Sequence, residues 1–392
     1  MRSIELFAGA GGLALGSSFA GFKHEAVIEW DKDACNTIRE NQRRGTSPVD
    51  HWPAITPTDV TKFNFSQIRN DIDLIAGGVP CQPWSLGGKH KGFEDERNLF
   101  PEVVKIVRHL RPKAILIENV KGLTRKVFTN YYEYIKHQLR YPEIVQKPQE
   151  SWMDHLRRLE RHHTSGSIQG LHYHLVARLV NAADFGIPQR RERVFIVAFR
   201  SDLGIEWTFP KETHSQDALL HDQFVSQEYW ERHEVAKRHR GAPMRWESRI
   251  TALKTSLFPP SELPWRTVRD AIGDLPDPLD SRSSHDVLNH THNPGARSYP
   301  GHTGSPMDEP SKTLKAGVHG VPGGENTLAH SNGKVRYFTV REAARIQTFP
   351  DDYIFQSSWT ESMRQIGNAV PVKLAEIVSS HIASHLRSAS RG

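Results

Sequence analysis

Ser3-Ile4-Glu5-Leu6-Phe7-Ala8-Gly9-Ala10-Gly11-Gly12-Leu13-Ala14 joins a short apolar run to a cluster of glycines. A run of this kind reads as a strand buried in a sheet. Glycines directly after a strand let the chain turn sharply and bring backbone N–H groups against a nucleotide-like ligand. Gly9-x-Gly11-x-x-Ala14 is a loose match to the dinucleotide pattern and equally describes a plain tight turn. Glu29 lies 20 residues past Gly9, at the end of the next apolar run. A carboxylate there suits the two hydroxyls of a ribose, and Trp30 beside it can stack on an adenine ring; an unrelated surface acid is the alternative.

Working outward, residues 3–7, 25–30, 73–77, 114–118, 174–180 and 193–199 read as strands, mostly continuous apolar runs separated by helix-like stretches. That alternation predicts an α/β fold with a doubly wound, mostly parallel sheet over residues 1–204. Two segments break the rhythm. Residues 127–170 are long and polar, with Trp152, Leu156 and Leu159 at helical spacing, and read as a surface helical insertion. Residues 205–336 turn rich in Pro, Gly, His and Ser, with Pro259-Pro260, Leu275-Pro276-Asp277-Pro278 and Val321-Pro322-Gly323-Gly324 as turn signals, and read as a second, smaller irregular lobe. Helices are expected again at 339–347 and 371–385, so 337–392 is assigned to the first domain.

The 392 residues suffice for a large core with an appended lobe. No run of 18 apolar residues occurs, and the first residues lack the apolar stretch and cleavage site of a secretion signal, so a cytoplasmic protein is expected. Two cysteines, Cys35 and Cys81, are too few for a disulfide scaffold, and no cluster of metal ligands accompanies them. The net charge of +6 is a weak pointer to a polyanionic partner. Its distribution says more: between 232 and 254, seven basic residues (Arg232, Lys237, Arg238, Arg240, Arg245, Arg249, Lys254) face two acidic ones, Glu234 and Glu247. A solvated helix face would read the same way.

Three further motifs follow strands. Gly77-Gly78-Val79-Pro80-Cys81-Gln82-Pro83-Trp84-Ser85 puts a cysteine where the carboxyl ends of strands line the ligand crevice of an open sheet. Prolines on either side of Cys81-Gln82 argue for a rigid loop, whereas most cysteines are structural and Cys35, in a helix-like stretch, reads as core filler. Ile115-Leu116-Ile117-Glu118-Asn119-Val120 carries a carboxylate at the end of a buried strand, where glutamate is seldom found unless paired or functional. Gln189-Arg190-Arg191-Glu192-Arg193 precedes the last strand and reads, alone, as a solvated charge run.

Taken together and in order, these blocks closely resemble the DNA (cytosine-5)-methyltransferase family of prokaryotic restriction-modification type. FAGAGGLALG, GGVPCQPWS, ENV and QRRERVF are followed by Thr339-Val340-Arg341-Glu342-Ala343-Ala344-Arg345-Ile346-Gln347 with Phe349-Pro350, and by Gln365-Ile366-Gly367-Asn368-Ala369-Val370-Pro371, so the resemblance spans almost the whole chain.

The resemblance implies methyl transfer from S-adenosyl-L-methionine to carbon 5 of cytosine in a specific double-stranded DNA sequence. It makes Cys81 the nucleophile that adds to carbon 6, Glu118 the group at ring nitrogen 3, and Arg193 with Arg191 the holders of the base carbonyl or a flanking phosphate. Around the cofactor it places Phe7, Ala8, Gly9, Gly11, Gly12 and Leu13, with Glu29 on the ribose, Trp30 on the adenine, Asp59 with Val60 at the amino group, and Pro80, Asn368 and Ala369 at the methionine end. No metal is implied. The base must leave the helix to react. Residues 87–98 resemble a loop that closes over DNA, with Lys89, Lys91 and Arg97 set to meet phosphates, and Gln82, Ser85 and Arg190 are expected at the DNA. The lobe corresponds to a target recognition domain: Thr313 and Leu314 match its short shared motif, and Arg238 and Arg240 are expected along the phosphate backbone. A monomer is the expected state, and a cognate restriction endonuclease acting on the same site fits the restriction-modification type. A tRNA methyltransferase of the same family, a catalytically silent DNA-marking protein and a nicotinamide dehydrogenase are the competing readings. The large lobe, the intact Cys81, Glu118 and Arg193, and the later motifs argue respectively against them.

Overall fold

The computed structural model describes residues 1–68, 71–80, 98–166, 170–241, 244–280, 286–298, 303–316, 326–330 and 332–390. Cys81, Gln82, Ser85, Lys89, Lys91 and Arg97 lie outside the described residues, as does all of the 87–98 loop except Asn98.

All six expected strands are present: β1 (Arg2–Leu6), β2 (Lys23–Ile28), β3 (Leu74–Gly78), β4 (Ala114–Val120), β5 (Tyr173–Asn181) and β6 (Glu192–Arg200). They form one sheet in the order β2-β1-β3-β4-β6-β5. β1 pairs in parallel with β2 and β3, and β3 in parallel with β4. β6 runs antiparallel to β4. The fold is therefore α/β with a mostly parallel sheet. Between the strands lie α1 (Gly12–Phe19), α2 (Lys32–Arg43), α3 (Phe100–Leu110), α4 (Thr129–Arg140) and α5 (Trp152–Thr164).

Alternation along β1 divides the faces. Ile4 and Leu6 enter an apolar cluster that includes Val103 and Val107 of α3 and Tyr131 and Ile135 of α4. On the other face, the Ser3 hydroxyl bonds His24 Nδ1 at 2.9 Å, and His24 Nε2 reaches the Ala14 carbonyl and the Ser18 hydroxyl, both at 3.0 Å, which places α1 there. Ser17 of α1 meets Ser379 of the closing helix Val372–Ala389 at 3.3 Å. Helices on both faces explain why the strands read as continuous apolar runs. β5 is the exception: an edge strand with much of its length exposed.

Compact packing divides the chain into two units, one of Met1–Val180, Glu192–Pro210 and Ala375–Gly392, the other of Asn181–Arg191 and Lys211–Leu374. This differs from the expected boundaries of 205–336, because 181–191 and 337–374 pack with the lobe. The reading of 127–170 as a surface insertion also needs correction. α4 and α5 are amphipathic rather than merely polar, and Tyr131, Tyr134, Ile135, Leu139, Leu156 and Leu159 join the sheet's own core.

The second unit is built from short elements. Its helices include Gln216–Phe224, Glu228–Arg232, Glu247–Thr255, Val268–Ile272, Val340–Ile346 and Trp359–Asn368. A three-stranded sheet joins Ser305–Pro306, Thr327–Ala329 and Val335–Tyr337. The expected helix at 339–347 starts at a capping box: the Thr339 hydroxyl accepts from the Glu342 N–H, and the Glu342 carboxylate accepts from the Thr339 N–H. Leu219, Tyr229, Trp230 and Val235 form a small apolar core, with Phe224 and Trp265 packed against it.

Candidate functional site

Parallel pairing brings the carboxyl ends of β1, β2, β3 and β4 to one end of the sheet. Leu6 stands opposite both Ile28 and Gly77, and Gly78 opposite Glu118. Because β6 runs the other way, its beginning reaches the same end, with Arg193 opposite Val120. This reversal brings together two residues 75 positions apart in sequence. Arg193 Nε lies 3.0 Å from Glu118 Oε1, and both side chains are almost wholly buried.

Two glycines before the cysteine are steric requirements of this corner. A Cβ on Gly77 would stand 2.8 Å from the Leu6 carbonyl oxygen, a backbone clash that nothing nearby relieves. One on Gly78 would press on Glu118 Oε2 at 3.3 Å. Glycine at 77 thus lets the strands pair, and at 78 it leaves the carboxylate its place.

At the β1 end the chain turns through Phe7 (φ 55°), Gly9 (φ 55°) and Gly11 (φ 84°), the last capping α1 with no side-chain hydrogen bond. Positive φ is unusual for a residue as bulky as phenylalanine and marks a constrained turn. Nothing lies within 4 Å of where a Gly9 Cβ would sit, so the loop is open on that side. The Gly9 N–H donates to Glu29 Oε2 at 2.7 Å, while the N–H groups of Trp30 and Asp31 donate to Oε1 at 2.9 and 2.8 Å. Burial raises the Glu29 pKa, and those three donors oppose the rise. The Trp30 side chain is 76% exposed. Thr58 N–H donates to the Glu29 carbonyl at 2.7 Å, setting Asp59 beside this loop. There Asp59 caps the turn Val60–Lys62 by accepting from the N–H and hydroxyl of Thr61, which lower its pKa.

These residues fit a nucleoside. An open glycine turn, a buried carboxylate fixed by three amides with acceptor capacity remaining, an exposed indole and an ionised Asp59 suit, in turn, close approach, ribose hydroxyls, adenine and an amino group. Phe7, Ala8, Gly9, Gly11, Gly12, Leu13, Glu29, Trp30, Asp59 and Val60 are thus gathered around one end of the sheet. Pro80 is at the end of β3. Asn368, exposed, and Ala369 lie in the second unit.

Cys35 is buried, and its thiol donates to the Glu29 carbonyl at 3.5 Å. Burial pushes that thiol up to about 12, which removes it as a nucleophile near neutral pH.

Arg191 does not belong with Arg193. It is fully buried, with Nη1 donating to the Leu314 carbonyl at 3.0 Å and Nη2 to those of Gly367 and Ala369 at 2.7 and 3.0 Å. A guanidinium closed in by three backbone carbonyls cannot hold a base or a phosphate. Leu314, expected at the DNA, belongs to the same network: it is buried, its carbonyl accepts from Arg191, and its N–H donates to Gln189 Oε1 at 3.0 Å. The Thr313 hydroxyl turns inward to the Arg190 carbonyl at 2.7 Å. Gln189 and Gln347, unassigned from the sequence, complete this network. Gln189 Nε2 donates to Gln347 Oε1 at 2.9 Å, and Gln347 Nε2 to the Ile366 and Ala369 carbonyls at 2.7 and 3.0 Å. For Gln347 the available signal was a glutamine closing a helical stretch, a residue rarely buried without polar partners; Gln189, inside a charged run, carried none.

The basic run is partly neutralised. Arg232 pairs with Asp222 at 3.0 Å, Arg249 Nη2 with Asp217 at 2.6 Å, and Arg245 with Glu309. Glu309 also lies 3.5 Å from Arg190. Arg240 Nε donates to the Val235 carbonyl at 2.7 Å, and Arg238, exposed, contacts His239 at 3.1 Å. Among the described residues, no acid is paired with Lys237, Arg238, Arg240 or Lys254. No helix of the described residues is long and apolar enough to cross a membrane.

Comparison with known proteins identifies the family. The family model for C-5 cytosine-specific DNA methylases matches residues 1–141 and 153–384. The Type II methyltransferase M.Eco47II of Escherichia coli is 33% identical over 97% of this chain and 78% of its own. M.NgoMIV of Neisseria gonorrhoeae is 32% identical over 98% of both. The crystal structure of S. pombe Dnmt2 methyltransferase shares the fold, with a TM-score of 0.56 at 19% identity over 99% of each chain. The chain belongs to the C-5 cytosine-specific DNA methylases, which transfer a methyl group from S-adenosylmethionine to carbon 5 of cytosine in DNA.

Proposed function

We propose that this enzyme modifies a specific sequence in duplex DNA through a covalent link between Cys81 and a cytosine swung out of the helix, and that Glu118 and Arg193 hold that base. The observation that carries the reading is the buried Glu118–Arg193 pair at the carboxyl ends of the parallel strands, the end to which the Gly77-to-Cys81 motif also leads. Supporting it, the chain's other thiol, on Cys35, is buried and protonated.

Carbon 5 of cytosine is a poor nucleophile. Cys81, as a thiolate, forms a bond from Sγ to carbon 6, and the displaced electron pair makes carbon 5 an enamine carbon able to attack. Glu118 holds a proton at ring nitrogen 3 as aromaticity is lost, and Arg193, whose Nε meets the Glu118 carboxyl and whose Nη1 donates to the Glu192 carbonyl at 2.8 Å, sets its guanidinium charge beside the base carbonyl. S-adenosylmethionine, when bound, supplies an electrophilic methyl group; Phe7, Gly9, Gly11, Leu13, Glu29, Trp30 and Asp59 are the residues that would hold it. Once carbon 5 carries the methyl, its proton leaves to water, the C5–C6 double bond reforms, and Sγ departs.

Because relatives are named Type II methyltransferases, the enzyme is read as one half of a restriction-modification pair, protecting the sites that a cognate nuclease would cut. The test is transfer of a labelled methyl group to duplex DNA, with tRNA as control. Duplex DNA is expected to accept label and tRNA not. Cys81→Ser should abolish transfer while leaving cofactor binding intact, and DNA carrying 5-fluorocytosine should trap an adduct on Cys81, since fluorine cannot leave as a proton does. Substantial turnover by Cys81→Ser would mean another nucleophile.

A further inference from the structure

β3 and β4 run in register as far as Gly78 and Glu118, the last residues of the two strands to face each other. Beyond that pair, one strand continues through Val79 and Pro80 to Cys81, the other through Asn119. A side chain bridges them where the backbone ladder stops. Asn119 is 2% exposed, and its Nδ2 donates to the Val79 carbonyl at 3.1 Å. Its Oδ1 accepts the N–H of Val120 at 2.9 Å. The orientation of the amide follows from these partners, since a carbonyl only accepts and an N–H only donates. Val79 is itself buried, at 3% exposure, so its carbonyl has little access to water.

We propose that Asn119 is a positioning residue for the nucleophile: it extends the β3–β4 ladder by one rung and thereby fixes the peptide leading to Cys81 against the strand that carries Glu118. The proposal rests on the reading of Cys81 as nucleophile. Few residues can fill the role. Aspartate has the shape but sets an oxygen against the Val79 oxygen, and serine keeps a donor that falls short of it. Glutamine is one methylene too long for a site that is already packed. The consequence is geometric. A reacting atom misplaced by about 1 Å costs on the order of 100-fold in rate.

The experiment uses the full-length enzyme and its Asn119→Asp and Asn119→Ser variants, with duplex DNA containing 5-fluorocytosine at the target position. The rate constant and the amplitude of adduct formation are measured separately, alongside DNA and cofactor dissociation constants. A residue that only supports the fold lowers the amplitude, because fewer molecules are active, and leaves the rate constant of the survivors unchanged. A positioning residue lowers the rate constant, by about 100-fold for Asn119→Asp, with amplitude and both dissociation constants near those of the parent. Wild-type rate constants in either variant, whatever their amplitude, overturn the proposal. Absence of any adduct with the parent enzyme, or an adduct formed equally by Cys81→Ser, instead overturns the nucleophile reading on which it rests.

Discussion

Replacing Arg191 with methionine keeps most of the volume of its side chain and removes its polar head. Three backbone carbonyls, those of Leu314, Gly367 and Ala369, lose a charged donor. Hydrogen bonds to charged groups contribute about 1.5–3 kcal/mol each, so the gross loss is roughly 5–9 kcal/mol. Part of this is returned, because the variant no longer buries a guanidinium, whose desolvation costs several kcal/mol. A net loss of about 3–5 kcal/mol is expected, as for other buried charges whose network is broken. Against a total stability of about 5–15 kcal/mol and a urea dependence of about 1–3 kcal/mol per molar, the unfolding midpoint should fall by about 1–2 M or more. Urea titration followed by tryptophan fluorescence reads this, since Trp230, Trp246, Trp265 and Trp359 all lie in the unit that contains Arg191. Arg193→Met also breaks a buried pair, with Glu118, so its midpoint should fall as well. The contrast lies in single-turnover methylation by the folded fraction, which should drop sharply for Arg193→Met and stay near the parent's for Arg191→Met. If Arg191→Met unfolds like the parent while its methylation rate collapses, the guanidinium acts on substrate and its assignment to the network is wrong.

Salt dependence of DNA binding should separate the basic residues of the lobe: Arg238→Ala and Arg240→Ala are each expected to flatten the slope of log K against log salt by about 1, whereas Arg249→Ala, whose charge is already met by Asp217, should leave it unchanged. Equal slopes for all three variants and the parent would refute the placement of the 232–254 segment along phosphates. The Glu5 carboxyl is buried, neither of its oxygens has a hydrogen-bond partner among the described residues, and burial holds its pKa well above the usual carboxylate range. The folded state therefore keeps a proton that the unfolded chain releases near pH ~4.3, so stability is full at low pH and falls as pH rises towards the folded value. Glu5→Gln should flatten melting temperature between pH 5 and 8, and a variant with the parent's slope would show that the proton belongs elsewhere.

The sheet was legible because its strands are buried on both faces, and that condition writes itself as unbroken apolar runs. All six runs marked in the sequence are strands of one sheet. β5 was the least distinctive, since an edge strand is only half covered. What the pattern could not carry was direction: nothing in residues 193–199 distinguishes an antiparallel strand from a parallel one. Yet that reversal brings Arg193 to Glu118. The core-filling part of residues 127–170 is hidden in the sequence for a related reason. Tyrosines and histidines lower the apolar count of α4 and α5, but tyrosine rings fill a core once each hydroxyl finds a partner, as Tyr134 does with His155 at 2.8 Å and Tyr131 with Asn98 at 2.8 Å.

The site divides along the same line between what composition records and what packing decides. Glu29, Glu118 and Arg193 stand at strand ends, so their place follows once the strands are known. Arg191 and Arg193 are two residues apart in one charged motif, and order alone treats them as equivalent. Their surroundings do not. The boundary between the compact units falls between Arg191 and Glu192, so the first arginine packs with the lobe and the second begins a strand of the sheet. Arg191 is closed in by carbonyls from segments more than 120 residues away, which local spacing has no means of registering. One motif therefore has two duties. Arg193 pairs with Glu118 at the strand ends and is proposed to hold the base, and Arg191 anchors to the lobe the Gly367–Ala369 backbone next to Asn368, a residue expected at the cofactor. A conservative exchange at the two positions should consequently fail in different ways: Arg193→Lys keeps a charge near Glu118 and loses only the planar fork, whereas Arg191→Lys offers one centre of charge to carbonyls that the guanidinium met from two of its nitrogens.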